Sequence, residues 1–368
     1  MSVHLHWYLP TNGDSRDIVG SGDGSQHTLG AVADGFRRPT VEYLGQIARA
    51  AEQLGFEAVL TPTGTWCEDA WITTAALSQV TTRLKFLVAF RPGLVSPTLA
   101  AHQAATFQRI SGGRLLLNVV TGGDPVEQRR FGDHLDHDQR YERTGEFLAA
   151  LRGVSDAAEP FDLDGRHYRI ERARIPFEPY APPAVFFGGA SPAAERVAAR
   201  HVDVYLAWGE TPPQIAERLE RMRKLAADAG RTLTFGIRFH VLSRDTPEAA
   251  WAEAERLLGR IDDERVTLVQ GQFAAGESVG QQRMAALHGG RRDQLVVYPN
   301  VWAGYGLVRG GAGTALVGSH AEVAERIREY HDLGVDHFIL SGQPHLEEAY
   351  HFGEGVLPIL RRAGLLEP

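Results

Sequence analysis

The residues that could do chemistry sit in a few short stretches. The longest is Asn300–Gly318, NVWAGYGLVRGGAGTALVG, which holds six glycines (Gly304, Gly306, Gly310, Gly311, Gly313 and Gly318) and a single cation, Arg309. Glycines this dense cost too much backbone entropy for the inside of a helix or strand. They suit a loop that moves, or a backbone that must approach a ligand closely. A phosphate cradle of the GxxxxGK[ST] type is excluded by the pattern. What remains is a lid bringing Arg309 to an anionic ligand, or an ordinary surface loop.

Phe186–Pro192, FFGGASP, runs from an apolar segment through two glycines into a helix start. Free N–H groups and the positive end of a helix dipole suit a phosphate there; a plain tight turn is the alternative. Arg238 and His240 stand two apart in one apolar run, so they share a face of a strand and are expected to point inward. A buried arginine wants an anion, either an anionic substrate or a structural carboxylate. Cys67, in TPTGTWCEDAW, follows another apolar run. An inert buried thiol is the simpler reading, a thiol beside the site the sharper one. His134, Asp136, His137 and Asp138 are close in sequence, but their spacing matches no metalloenzyme pattern, and Asp138 reads as a helix cap. No GxSxG elbow and no HExxH helix occurs. Trp7, Trp208 and Trp302 could wall a flat aromatic cofactor or simply fill core.

The elements that must position these residues are legible as βα units. Eight short apolar runs alternate with amphipathic segments: His4–Leu9, Ala58–Pro62, Leu84–Phe90, Leu115–Val120, Ala184–Phe187, Val202–Trp208, Leu233–Leu242 and His337–Ser341. Continuous apolarity implies strands covered on both faces, as in a parallel sheet. Ser96-Pro97, Ser191-Pro192, Thr211-Pro212 and Thr246-Pro247 mark helix starts, as does the Ser319/Glu322 capping box. The count argues for a single-domain α/β protein, a (β/α)8 TIM barrel with insertion segments at the C-terminal face. A doubly wound sheet would carry a GxGxxG turn after its first strand, and none is there. A plain barrel needs about 250 residues. The surplus falls at Asn12–Arg38, Gly122–Asp138, Ser155–Pro183 and Ile261–Ala315. The third contains FDLDGRHYRI, a hairpin signal; the fourth, 261–315, is the expected lid.

Composition bounds the partners. With 38 Lys and Arg against 46 Asp and Glu, the net charge is −8 and no basic tract offsets it, which argues against nucleic acid. No apolar run approaches the roughly 18 residues needed to cross a membrane. The lone cysteine and the absence of a basic, apolar leader fit a cytoplasmic protein.

Eleven stretches occur in one order: WYLPTNGD, PTGTWCEDAW, LKFLVAFRPG, NVVTGGDP, LDHDQRYE, FFGGASP, YLAWGE, FGIRFHV, SVGQQRMAALH, VWAGYGLVRGGAGTALVG and LSGQPHLEEAY. Together they resemble the reduced-FMN-dependent alkanesulfonate monooxygenases of the bacterial luciferase-like superfamily, over nearly the whole chain. The resemblance implies a (β/α)8 barrel and a two-component reaction. Reduced FMN (FMNH2) would come from a separate NAD(P)H-dependent FMN reductase, and its peroxide would convert an organosulfonate to an aldehyde and sulfite. By motif, the flavin phosphate would lie at Tyr141, Ala190 and Ser191. The ring would lie against Ala89, Asn118, Thr121 and Trp208, with Cys67 nearby. Arg238, His240, Arg309 and Arg283 would hold sulfonate and peroxide, and the family suggests dimers or tetramers.

Some positions depart from the family pattern. Asn12 stands where the family usually has His, Gln343 where it has Tyr, and Thr65-Trp66 where it has Arg-Ser; Ser15–Arg38 is also longer. Neutral groups at Asn12, Thr65 and Gln343 suit a polar or cyclic tail, so a functionalised sulfonate is expected over a simple alkanesulfonate. Other readings are a luciferase-like monooxygenase on a non-sulfonate substrate and a deazaflavin-dependent oxidoreductase on the same barrel. A non-catalytic flavin-binding protein would have little use for Arg238, Arg309 and a long lid. A metal-dependent barrel hydrolase would want an HxH pair at the C-terminal end of the first strand, where this chain has none.

Overall fold

The computed structural model describes residues 2–19, 35–156, 159–176 and 181–366. Eight strands close into a barrel: β1 (His4–Tyr8), β2 (Ala58–Thr61), β3 (Lys85–Phe90), β4 (Leu115–Val119), β5 (Val185–Gly188), β6 (Val204–Trp208), β7 (Thr234–Arg244) and β8 (His337–Ser341). Each pairs in parallel with the next, and β8 pairs with β1. All eight expected strands are there, within one or two residues of their ends. Much of the extended run 15–38 lies outside the described residues.

Alternation along the strands sorts two cores. Tyr8, Leu60, Leu87, Phe186, Val204 and Ile339 point inward and fill the barrel. Trp7, Val59, Phe86, Phe187, Tyr205 and Phe239 point outward and pack against the helices. The inward set is one side-chain layer thick in the middle, which leaves the C-terminal mouth free to hold a cavity.

Helix starts follow the sequence signals. The hydroxyls of Ser96, Ser191 and Thr246 accept from the N–H groups of Leu99, Ala194 and Ala249. At Thr211, Gln214 accepts from the backbone N–H at 3.1 Å and from the hydroxyl at 2.7 Å. Ser319 and Glu322 form the capping box. One expectation is corrected: Asp136, not Asp138, caps the helix His137–Asp156. The Asp136 carboxylate accepts from the Gln139 N–H at 2.8 Å, while Asp138 lies in the first turn, largely exposed and paired with His137. A cap must precede the first helical residue, and Asp138 is one turn position too late.

The FDLDGRHYRI segment is a hairpin, Phe161–Asp164 against Arg169–Ala173, turned over four residues. A larger departure concerns the glycine-rich stretch. β7 is 11 residues long, more than the barrel needs. Its first part pairs with β8 through His240, and its overhang, His240 to Arg244, pairs with a further strand, Ala315–Ser319. Val301–Trp302 and Val296–Tyr298 extend that sheet antiparallel. Gly318 therefore sits inside a strand, and Gly304 and Gly306 inside a 3-10 turn. Close packing accounts for this: a Cβ on Gly318 would lie 2.7 Å from the Asn300 side-chain amide and 2.8 Å from Glu322.

Candidate functional site

A cavity of about 280 Å³ opens at the C-terminal end of the barrel. Its floor comes from the last inward residues of the strands. Ala89 on β3 and Asn118 on β4 are register partners, and Trp208 ends β6 beside Arg238 on β7. All four line the cavity. Strand pairing thus brings together residues that are 29 and 30 positions apart in sequence for each pair.

One wall is the turn after β5. Gly188, Gly189, Ala190 and Ser191 lead into the helix Pro192–His201, and Thr121 and Tyr141 join them from neighbouring elements. The Tyr205 hydroxyl donates to the Gly189 carbonyl at 2.7 Å and fixes the turn from behind. A Cβ on Gly189 would stand 2.5 Å from the Ala194 Cβ and 3.2 Å from the Tyr141 hydroxyl. Glycine is what keeps this cradle open. Burial raises the pKa of the Tyr141 phenol, which shares a hydrogen bond with Ser191; the phenol stays protonated and able to donate.

Arg238 is the cation of the floor. Its guanidinium carbon lies 4.3 Å above the Tyr8 ring. Among the described residues no carboxylate pairs with it, and its Nη1 has no hydrogen-bond partner. Desolvation lowers its pKa to about 10, which leaves it charged at neutral pH. An arginine enclosed by protein but open to a cavity is an anion site in search of an anion.

The other expected residues do not line this cavity. His240 is buried behind it, stacked on Tyr305 at 3.8 Å. Its Nε2 faces the Ala312 carbonyl at 3.1 Å and so carries the proton; Nδ1 then accepts from the Ser341 hydroxyl at 2.9 Å. Burial and the Arg238 charge push its pKa well below the usual value, so it is neutral. Arg309 is buried, with Nε and Nη2 donating to the Ile18 carbonyl at 3.2 and 3.1 Å. Arg283 is paired with Glu210. Gln343 is buried, and Asn12 is half-buried. The Cys67 thiol lies 3.7 Å from the Pro62 and Gly64 carbonyls, and burial raises its pKa to about 12. It is no thiolate at neutral pH.

Several lining residues carry no strong local pattern. Residues 278–280 bring the 261–315 insertion into the wall: a Cβ on Gly280 would lie 3.0 Å from the Trp208 ring, and one on Gly123 would lie 3.0 Å from the Ser278 Cβ. Glu210, Arg218 and His137 also line it. Glu210 had one usable signal, an acid placed just past the end of a barrel strand. His137 packs edge-on to Tyr141 at 4.8 Å. Among the described residues no group of three or more His, Cys, Asp or Glu side chains is arranged to hold a metal ion.

Known structures share the architecture. Riboflavin lyase RcaE, solved with modified FMN and riboflavin, superimposes with a TM-score of 0.79 at 20% identity, covering 100% of this chain and 93% of that one. EDTA monooxygenase EmoA from Chelativorans sp. BNC1 gives 0.75 at 20% identity, covering 100% and 95%. An F420-dependent secondary alcohol dehydrogenase, solved with an F420-acetone adduct, gives 0.70 at 16% identity, covering 98% and 100%. At such identities these establish the fold. A model of the luciferase-like monooxygenase family matches residues 7–337, nearly the whole chain, and the protein belongs to that family.

Proposed function

We propose that the protein is the oxygenase half of a two-component system that uses reduced FMN and O2 to cleave the C–S bond of an organosulfonate. The carrying observation is Arg238: a cation on the floor of the barrel-mouth cavity with no carboxylate partner among the described residues. The cavity suits a flavin on its own features. The cradle at Gly189 would be filled by any Cβ, and the Tyr141 and Ser191 hydroxyls with the N-terminus of the helix Pro192–His201 offer donors to a phosphate. When bound, reduced flavin supplies two electrons and activates O2. One oxygen atom ends in the aldehyde and the other in water, while sulfite leaves with the electron pair of the broken bond.

The chain's own residues would position and enclose. Arg238 would orient the sulfonate by charge-assisted hydrogen bonds. Neutral His240, locked by Ala312 and Ser341 behind the cavity, would keep Arg238 free of a competing negative charge. Trp208 with Gly280 would wall off one side against water. The 261–315 insertion would act as the lid, pinned on either side of residues 278–280 by Arg140–Glu277 and Arg283–Glu210. Supply of reduced FMN by a separate NAD(P)H-dependent reductase, a dimeric or tetrameric assembly and a cytoplasmic location complete the proposal. For the last, the structure adds only that no described helix is long and apolar enough to cross a membrane.

The test is sulfite release with an added flavin reductase, with and without O2. The panel is methanesulfonate, octanesulfonate, an aromatic sulfonate and sulfoquinovose. Oxygen-dependent release, fastest on the functionalised sulfonates, is the expected result. Turnover without O2 would favour hydride transfer of the deazaflavin kind, and oxygen consumption without sulfite would remove the sulfonate assignment.

A further inference from the structure

The phosphate cradle offers only neutral donors at its turn, yet a phosphate monoester carries close to two negative charges at neutral pH. A second guanidinium stands in the same cavity wall. Arg218, on the helix Pro212–Asp228, is only 3% exposed and lines the cavity together with residues 188–191. Among the described residues its guanidinium has one partner: Nη2 donates to Glu210. Its Nε is buried without a hydrogen-bond partner.

Two further contacts relate Arg218 to the cradle. Tyr205 packs between β6 and the helix layer, and its hydroxyl holds the Gly189 carbonyl at 2.7 Å. The Arg218 charge is the strongest that this hydroxyl feels from its surroundings. Glu210 is also not available to neutralise Arg218 alone. It is 1% exposed and shared with Arg283, whose Nε donates to it at 2.9 Å. One buried carboxylate facing two guanidiniums leaves a surplus positive charge on this wall. A buried surplus charge is costly unless an anion completes the set.

We infer that Arg218 is the phosphate-binding cation of the cavity, the residue that makes this protein prefer a flavin bearing a terminal phosphate over the same flavin without one. The inference rests on the flavin reading above and deepens it, because it assigns the charge recognition to a residue outside the cradle motif. Glu210 and Arg283 are then positioning residues. They hold the Arg218 fork in place, and they tie its occupancy to the insertion helix Val279–His288.

The test is anaerobic equilibrium binding of reduced FMN and reduced riboflavin, followed by protein fluorescence, for the wild-type protein, Arg218→Gln, Arg218→Lys and the double variant Arg218→Gln/Glu210→Gln. The wild type is expected to prefer FMN by at least about tenfold, the scale of one charged hydrogen-bond pair. Arg218→Gln should abolish that preference by weakening FMN alone, with riboflavin affinity within about twofold. Arg218→Lys should recover part of it, since charge returns without the fork. The double variant keeps a neutral, matched pair and covers the case in which an unpaired Glu210 unfolds the single variant. An unchanged FMN-to-riboflavin ratio in either Gln variant would overturn the role of Arg218 and leave the flavin reading standing. A wild-type protein that binds neither flavin would overturn both.

Discussion

At the N-terminal end of the barrel, three histidines stack. His4 lies over His337 at 4.5 Å, and His6 over His337 at 5.3 Å, with His6 Nε2 and His337 Nδ1 3.0 Å apart. Glu57 takes a hydrogen bond from His4 at 2.6 Å and one from Lys85 at 2.8 Å. Burial alone would raise the Glu57 carboxyl, but His4, His6 and Lys85 hold it well below the usual range. At the C-terminal end, Arg238 looks into a cavity with no carboxylate across from it among the described residues. Similar residue types thus end in different electrostatic states. Where charge is answered by protein, the residues hold the barrel shut. Where it is not, the fold keeps a place for something to bind.

The largest effect expected from this contrast lies at the closed end and is read as stability. Burial pushes the His6 pKa down to about 4 and the His337 pKa down to about 2. In the unfolded chain both titrate near about 6.5. Below that pH the unfolded state binds protons the folded state refuses, so stability falls as pH drops from about 6.5 towards 4. His6 alone accounts for on the order of 3 kcal/mol of the fall. His4, raised by its Glu57 hydrogen bond, works the other way: its contribution is present at low pH and lost as pH rises through its folded pKa. It is also much more exposed, so its effect is smaller. Urea unfolding from pH 7 to pH 4.5 should show the decline, and His6→Gln should flatten it. Parallel slopes in the two proteins would break the closed-end account.

At the open end, Arg238→Ala should lower kcat/KM on a sulfonate by roughly 10- to 100-fold, the worth of a charged hydrogen bond. Far-ultraviolet circular dichroism and melting temperature should stay close to wild type, because no folded partner is left unpaired. A large loss of stability would mean that Arg238 belongs to the scaffold. Gly189→Ala comes next. Its Cβ has no room beside Ala194, so reduced FMN should bind about tenfold more weakly while the barrel stays folded. Equal affinity would put the phosphate elsewhere. The smallest effect is expected at Cys67, off the cavity and protonated: Cys67→Ser should change turnover by less than about threefold. A tenfold change would restore the thiol to the reaction.

How far the sequence reached depends on how local each signal was. Strand runs and helix caps are set by neighbouring residues, so Ser96, Ser191, Thr246 and all eight strands were legible. The pair Arg238 and His240 was read correctly as inward-facing, because alternation along a strand is a local rule. What separates the two, Arg238 in the cavity and His240 locked behind it by Ser341 and Ala312, depends on β8 and the insertion, hundreds of ångström-scale decisions away in the chain. The glycine-rich stretch misled for a related reason. Glycine density marked close approach correctly, but the approach is to Glu322, Asn300 and the Trp302 ring within a small sheet, and composition cannot tell protein neighbours from a ligand. Arg218 and residues 278–280 were silent, since nothing in their flanks marks a helix residue for a cavity built by other elements.

The central claim is that an unanswered charge at the cavity floor selects an anionic substrate. It is tested most directly by calorimetric titration, without oxygen and with reduced FMN present, of an organosulfonate and its neutral sulfonamide analogue. The account expects the sulfonate to bind at least about tenfold more tightly to the wild type, and the two ligands to bind alike once Arg238 is replaced by Ala. Equal affinities in the wild type, or a preference that survives Arg238→Ala, would contradict it.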